Sequence, residues 1–254
     1  MSEYNDYLVS AAAAGGQIRA FAVSGRNLVQ EAHKAHNTAN VVTAALGRLM
    51  IGAVMMGHML KSDDEILTVK IDGDGPIKGL LATANKNGDV KGYSKVNRVH
   101  LPHNEADHLD VKGAVGKGSV TVIKDLGLKD PYVGTVPIYT GEIAEDLTYY
   151  FAVSEQTPSS VGLGVLVSGM EDVLEAGGFI IQLLPSTEEE VITALESRLS
   201  KVSSVTDLLK RGMTPEKMLE HLLEGFDIKL LEKKPVQFKC NCSRERAERA
   251  LILL

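Results

Sequence analysis

The sequence predicts an α+β protein, on three observations. Up to Pro185, short alternating apolar runs bounded by Gly, Asn and Asp outnumber helical stretches and do not alternate with them regularly, which argues against a parallel βαβ arrangement. After Pro185 the spacing becomes that of amphipathic helices with one charged face. Near the end, a strand-like run leads into Phe238-Lys239-Cys240-Asn241-Cys242, which holds the only two cysteines of the chain. The 254 residues suffice for one large domain or two, and 44% hydrophobic with 24% charged residues is an ordinary soluble composition. A net charge of -6 without a basic stripe argues against nucleic acid or an anionic membrane as partner. Two cysteines do not make a secreted disulfide framework. Residues 1–6 show neither the basic nor the apolar region of a signal peptide, so a cytoplasmic location is expected.

The elements follow in order. Residues 17–23 alternate like a strand and stop at Ser24-Gly25. Residues 27–36 have helical spacing through Leu28, Ala32 and Ala35. Thr38 or Asn40 is then expected to cap a long apolar helix reaching about Leu60. That segment has the length of a membrane span, but Arg48, Asn40 and glycines at 47, 52 and 57 favour a helix buried under a sheet. Its methionines, Met50, Met55, Met56 and Met59, read as core filling. Residues 65–72 form a strand, and 79–84 and 90–96 flank the hairpin signal Asn85-Lys86-Asn87-Gly88-Asp89. Further strands are expected at 119–123 and 133–139, a helix after Gly141 with acids in its first turn, and strands at 161–167 and 179–184. Beyond Pro185, Thr187 with Glu190 reads as a capping box. Val191, Leu195 and Leu199 form one apolar stripe, and residues 205–210 a short helix. Thr214-Pro215 opens a third helix that lays down Met218, Leu222 and Phe226. These helices must dock on the first domain or on the cysteine segment.

Several motifs fail on inspection. Asp72-Gly73-Asp74-Gly75 begins like a calcium loop, but Pro76 follows and the bidentate Glu is missing, so it reads as a turn. His100, His103 and His108 sit with Glu105 and Asp107 in a polar loop whose spacing does not gather three metal ligands. Residues 112–119 lack the phosphate-loop spacing and read as a glycine-rich strand or hairpin. The cysteines carry more. An extended chain puts both sulfurs on one face, where they can share a soft metal or oxidise to a disulfide. Lys239, Arg244, Arg246 and a helix start at Ser243 favour the thiolate. Inert surface cysteines are the competing reading. Structural zinc needs about four ligands, and the chain offers two sulfurs with no His after His221. Residues 249–254 end on an apolar run without a C-cap, so a chain cut within a helix is expected, with the missing ligands beyond it.

Four stretches in order carry a family resemblance: Gly141-Glu142-Ile143-Ala144-Glu145-Asp146-Leu147 with Tyr149-Tyr150-Phe151; Ser154-Glu155-Gln156-Thr157-Pro158-Ser159; Gly177-Gly178-Phe179-Ile180-Ile181-Gln182-Leu183-Leu184-Pro185; and Phe238-Lys239-Cys240-Asn241-Cys242-Ser243. With them, essentially the whole chain resembles the heat shock protein 33 family. The resemblance implies an α+β chaperone domain over residues 1–185, with a curved, mostly antiparallel sheet packed on helices. A helical linker would follow over 186–228, and the start of a small zinc and redox-switch domain over 229–254. The implied function is an ATP-independent holdase, a homodimer, that binds unfolded or misfolded clients under oxidative stress. Cys240 and Cys242 match the family's first zinc-ligand and redox-active pair; the second pair is absent from this chain. On this view Val191, Leu195, Leu199, Met218, Leu222 and Phe226 are the client-binding stripes, exposed when the small domain melts and constitutively exposed here. The competing class is a zinc-dependent or thiol-disulfide enzyme built on Cys240 and Cys242.

Overall fold

A helix with almost no polar side chain must be covered on every side, and this requirement organises the molecule. The computed structural model describes residues 6–105, 108–169, 172–243, 245, 248, 249 and 252. The chain forms β1 (Tyr7–Ala13), β2 (Ile18–Ser24), α1 (Arg26–His36), α2 (Asn40–His58), β3 (Ile66–Gly73), β4 (Gly79–Asn85), β5 (Asp89–Ser94), α3 (Val111–Val115), β6 (Gly118–Asp125), β7 (Tyr132–Pro137) and α4 (Ala144–Val153). Then come β8 (Ser159–Val167), β9 (Val173–Leu183), α5 (Glu189–Leu199), α6 (Val205–Lys210), α7 (Pro215–Leu222), β10 (Ile228–Pro235) and β11 (Gln237–Phe238). The α+β expectation holds, with the strands divided between two sheets. The first has the order β10-β1-β2-β9-β8 and the second β11-β5-β4-β3-β6-β7. Every pairing is antiparallel except β11 on β5.

The apolar segment expected to lie under a sheet lies between two. Helix α2 is apolar all round because β8 and β9 cover one side and β3, β4 and β5 the other. Leu49, Met50, Ile51, Val54 and Met55 are completely buried there. The approach is close enough to require glycine. A Cβ on Gly57 would stand 2.9 Å from the Asn85 carbonyl, and one on Gly47 2.8 Å from Val29. Helix α2 starts from Ala39 without a side-chain cap. Thr38 is drawn inward instead, its hydroxyl 2.7 Å from that of Thr43, and both hydroxyls contact His33 Nδ1. The motif around Asp146 also has a physical reason. That buried carboxylate accepts the N–H groups of Tyr139, Thr140, Gly141 and Ile143 at 2.9–3.1 Å, fixing the turn into α4 with Ile143 at φ 68°.

A second apolar cluster lies outside this core. The outer face of the first sheet carries Val9, Ala11, Ala13, Ala20, Ala22 and Ile181, and α5, α6 and α7 pack onto it through Leu195, Leu208, Met218 and Leu222. The alanines leave room for helices to approach the strands. Strand β1 was absent from the sequence expectations, since an alanine-rich stretch reads by propensity as helix. Three further differences follow. Glu188, not Thr187, takes the N-cap position of α5, and the Thr187 hydroxyl is turned to the carbonyls of Leu184 (2.6 Å) and Gln17 (3.0 Å). Residues 111–115 form a short helix capped by Asp110 rather than a strand. The boundary expected at 229 falls inside β10, which pairs with β1 along its length, and β11 pairs with β5, so residues 228–238 contribute strands to both sheets.

Candidate functional site

Two neighbouring features bear on function: the helical cover on the first sheet and the dithiol at the edge of the second. A strap, β10 followed by β11, joins them. Strand β10 continues from α7, and a clasp holds that junction. The Tyr7 hydroxyl donates to Glu216 Oε2 at 2.8 Å, and Lys233 Nζ donates to Oε1 at 3.0 Å while lying 3.8 Å above the Tyr7 ring. Burial opposes the ionisation of Glu216, but bonds from its own backbone N–H, Lys233 and Tyr7 outweigh it and hold the carboxyl below its usual range. At the start of α1, the buried Asp6 carboxylate accepts from Leu28 N at 2.6 Å and Asn27 N at 3.2 Å, and the Asp6 carbonyl accepts from Val236 N at 3.0 Å. Desolvation dominates at Asp6 and pushes its pKa up to about 6.

Strand β11 lies parallel to β5, with Gln237 N–H on the Gly88 carbonyl (3.0 Å) and Lys239 N–H on that of Val90 (2.8 Å). Phe238 turns inward against the core, edge-on to His36. The Asp89 carboxylate receives Gln237 Nε2 at 2.8 Å and Lys239 Nζ at 2.9 Å. Burial disfavours its charge, yet the bonds from Lys239, Gln237 and Asn85 prevail and lower its pKa. Lys239, expected to face the thiols, is thus engaged by Asp89. Among the described residues, the cation acting on Cys240 is Lys91 of β5, which bonds to Asn241. Cys240 and Cys242 are exposed thiols, not joined in a disulfide, with Cys242 hydrogen-bonded to Cys240. That bond, a backbone bond from Cys242, and Lys91 lower the Cys240 pKa against a small desolvation. Arg244 and Arg246 lie outside the described residues.

The predicted client-binding residues are not a free surface. Leu195, Met218 and Leu222 are buried against the first sheet, and Val191, Leu199 and Phe226 are half-buried around them. Constitutive exposure of the stripes is therefore corrected: sequence periodicity shows which face is apolar but not that β1, β2 and β9 already cover it. The polar loop with His100, His103 and His108 offers no metal cluster among the described residues, and Asp107 lies outside them. Zinc fits only by half. Two sulfurs stand together, and the described residues supply no group of three or more His, Cys, Asp or Glu that could complete a tetrahedral set. Sequence reasoning missed Asp89, Lys91, Glu216 and Tyr7. The hairpin around Asp89 was legible, but nothing in it signalled that a strand from the far end of the chain would pair there.

The fold and this geometry define an α+β protein whose candidate working parts are a covered apolar sheet face and an exposed thiol pair. The chain belongs to the Hsp33 protein family, whose family model matches residues 6–254. It is 54% identical to the 33 kDa chaperonin of Lachnoclostridium phytofermentans over 248 residues, 98% of this chain and 85% of that one. The 33 kDa chaperonin of Geobacillus sp. (strain WCH70) is 52% identical over 251 residues, 98% of this chain and 85% of the relative. The solved structure of the 33 kDa chaperonin from Thermotoga maritima superposes with a TM-score of 0.93 at 36% identity, covering 99% of this chain and 86% of that one.

Proposed function

We propose that the chain is a redox-regulated, ATP-independent molecular chaperone, a holdase that binds unfolding proteins under oxidative stress. Family membership and the chaperonin relatives support the chaperone part. One observation supports the mode of action: the helices α5–α7 and the sheet face under them form an apolar cluster separate from the main core. Separate clusters allow the cover to lift without unfolding the rest. Lifting it bares both apolar partners, the helix stripes of Val191, Leu195, Leu199, Met218, Leu222 and Phe226 and the sheet residues Val9, Ala20 and Ile181. Apolar area of several hundred Å² is the usual mark of a surface that binds other proteins.

The strap carries the signal in this reading. Cys240 and Cys242 are the redox-active pair in this reading and would be two of the sulfur ligands for zinc, which would keep the thiolates paired when bound. The Cys240 thiolate attacks one oxygen of hydrogen peroxide, which is reduced by two electrons as the O–O bond breaks and hydroxide leaves; a second thiol then displaces the hydroxyl of the resulting sulfenic acid as water, forming a disulfide. The altered segment pulls on Lys239, β11 and then β10, whose Lys233 is part of the α7 clasp. The working form is a cytoplasmic homodimer with non-native polypeptide as its partner. The test is light scattering of a heat-unfolded client without nucleotide, with the protein reduced or peroxide-treated. Oxidised protein is expected to suppress aggregation more than reduced protein. A requirement for ATP, or no suppression in either state, overturns the proposal.

A further inference from the structure

The two edges of the first sheet differ. Strand β10 is guarded in the ways that stop unwanted pairing: Lys229, Glu232, Lys233 and Lys234, then Pro235, and a bulge opposite Ser10/Ala11. Strand β8, the other edge, is Ser-Ser-Val-Gly-Leu-Gly-Val-Leu-Val, without charge or proline. Its first half is occupied, because the Val161 N–H donates to Thr148 of α4 at 3.2 Å. Its end is fixed by Asn40 Nδ2 on the Ser168 carbonyl at 3.3 Å. Between these points the outward backbone groups have no hydrogen-bond partner among the described residues, and Leu163 and Val165 are themselves buried. The Val161 bond leads away from β9, and residues along a strand alternate in direction, so Leu163 and Val165 also turn N–H and C=O outward. The β9 side agrees: the carbonyl of Ala176, opposite Val165, accepts from Gly25 and so faces away from β8.

A groove of about 520 Å³ runs along this open stretch, between α2 on one side and α6 on the other. That is within the range of sites that take ligands, about 300–1,000 Å³. Its walls include Ala44, Leu163 and Val165. Its charged groups are Arg48, Lys210 and the opposing Asp207. Arg48 Nη1 binds Glu142 at 2.7 Å, but its Nε is buried with no acceptor. A row of outward backbone groups calls for an extended backbone, and the exposed Lys210 calls for a carboxylate. We propose that this groove takes an extended, acidic-and-apolar segment of non-native polypeptide as an added strand beside β8, as in other strand-addition complexes. The proposal rests on the chaperone reading for its partner. It differs in timing, because the groove exists with the cover in place and is engaged before the cover lifts.

The test uses the reduced full chain and two labelled synthetic peptides, one alternating valine with glutamate and one alternating valine with lysine. The Val/Glu peptide is expected to bind about tenfold more tightly than Val/Lys, and Lys210→Glu to reverse that preference. Hydrogen exchange of the wild-type amides of Leu163 and Val165 should slow when Val/Glu is bound. Val165→Pro removes one outward N–H without touching the β8–β9 ladder, and should weaken Val/Glu about tenfold. If Val165→Pro does not fold, the exchange pattern and Lys210→Glu decide. Equal affinity for both peptides, or protection that maps elsewhere, overturns the proposal. Slowed exchange at Leu163 and Val165 that depends on protein concentration without peptide makes a second copy the occupant and also overturns it. Failure here with intact oxidant-dependent aggregation suppression removes only the groove, whereas peptide binding without suppression removes only the redox holdase.

Discussion

Leu222→Ala tests the detachable cover directly. Leu222 is completely buried in the outer cluster, on the helix that packs against β1 and β2. Removing its isobutyl group loses transfer free energy and leaves a cavity, about 2–5 kcal/mol at a well-packed site. Because the outer cluster is separate, that loss falls on cover docking rather than on the α2 core. At about 3 kcal/mol, and about 1.4 kcal/mol per tenfold, the open form gains roughly a hundredfold in population. The assay pairs dye binding to exposed apolar surface with aggregation suppression by the reduced variant. Both should rise at a temperature where circular dichroism still shows native sheet. Leu49→Ala, in the main core, serves as the comparison: it should lower the unfolding midpoint without raising reduced-state activity. If Leu222→Ala melts as one unit with the whole protein and gains neither dye binding nor activity, the cover is not an independent cooperative element and the reasoning fails.

Glu216→Gln should loosen the clasp, since an amide holds Lys233 less well, and faster exchange of the α7 amides would report it. The same clasp has a pH signature: the Glu216 pKa is depressed, so its contribution is present above about pH 4.5 and lost as pH falls through the lowered value. Protection of the α7 amides, taken relative to the intrinsic exchange rate at each pH, that is weaker at neutral pH than in acid contradicts this. Asp6 has the opposite sign. With its pKa raised from 3.8 to about 6, the folded state holds the proton more tightly, so stability relative to Asp6→Asn falls as pH rises through that window. The loss amounts to at most about 3 kcal/mol; denaturant titrations of both proteins from pH 3.5 to 7.5 would show it, and a flat difference would refute it. Asp89→Asn should release the Lys239 contact and weaken β11 pairing, read as loss of exchange protection at Lys239 N–H. Unchanged protection would mean that the Asp89–Lys239 contact does not hold β11.

Much of the main core was legible because its signals are local. The Asn85–Asp89 turn fixed one hairpin, and Thr214-Pro215 marked the α7 start, where the Thr214 hydroxyl does accept from Lys217 N. The apolar girth of α2 required burial whichever elements supplied it. Non-local features were not legible. Alanine runs such as that in β1 are helical by propensity and become strand only because β2 and β10 flank them. Thr187 has the right spacing for a capping box, but it lies one residue before the N-cap and its hydroxyl is turned to the Leu184 and Gln17 carbonyls. At the candidate site the two cysteines stood out by type, whereas Asp89 and Lys91 are ordinary hairpin residues until β11 arrives beside them. Periodicity likewise identified the stripe of Leu195, Met218 and Leu222 but was silent on what it faces.

The strap has unequal halves, and that sets an order of release. Strand β11 contributes two residues to its sheet and β10 eight. A tug from the thiol end therefore peels the short zipper first, freeing the tail while α7 stays seated. Only a stronger or longer-lasting pull strips β10 from β1 and takes Lys233 off Glu216. On the proposed reading, brief disturbance would free only the tail and sustained disturbance would be needed to release the cover, a threshold set by the lengths of two strands.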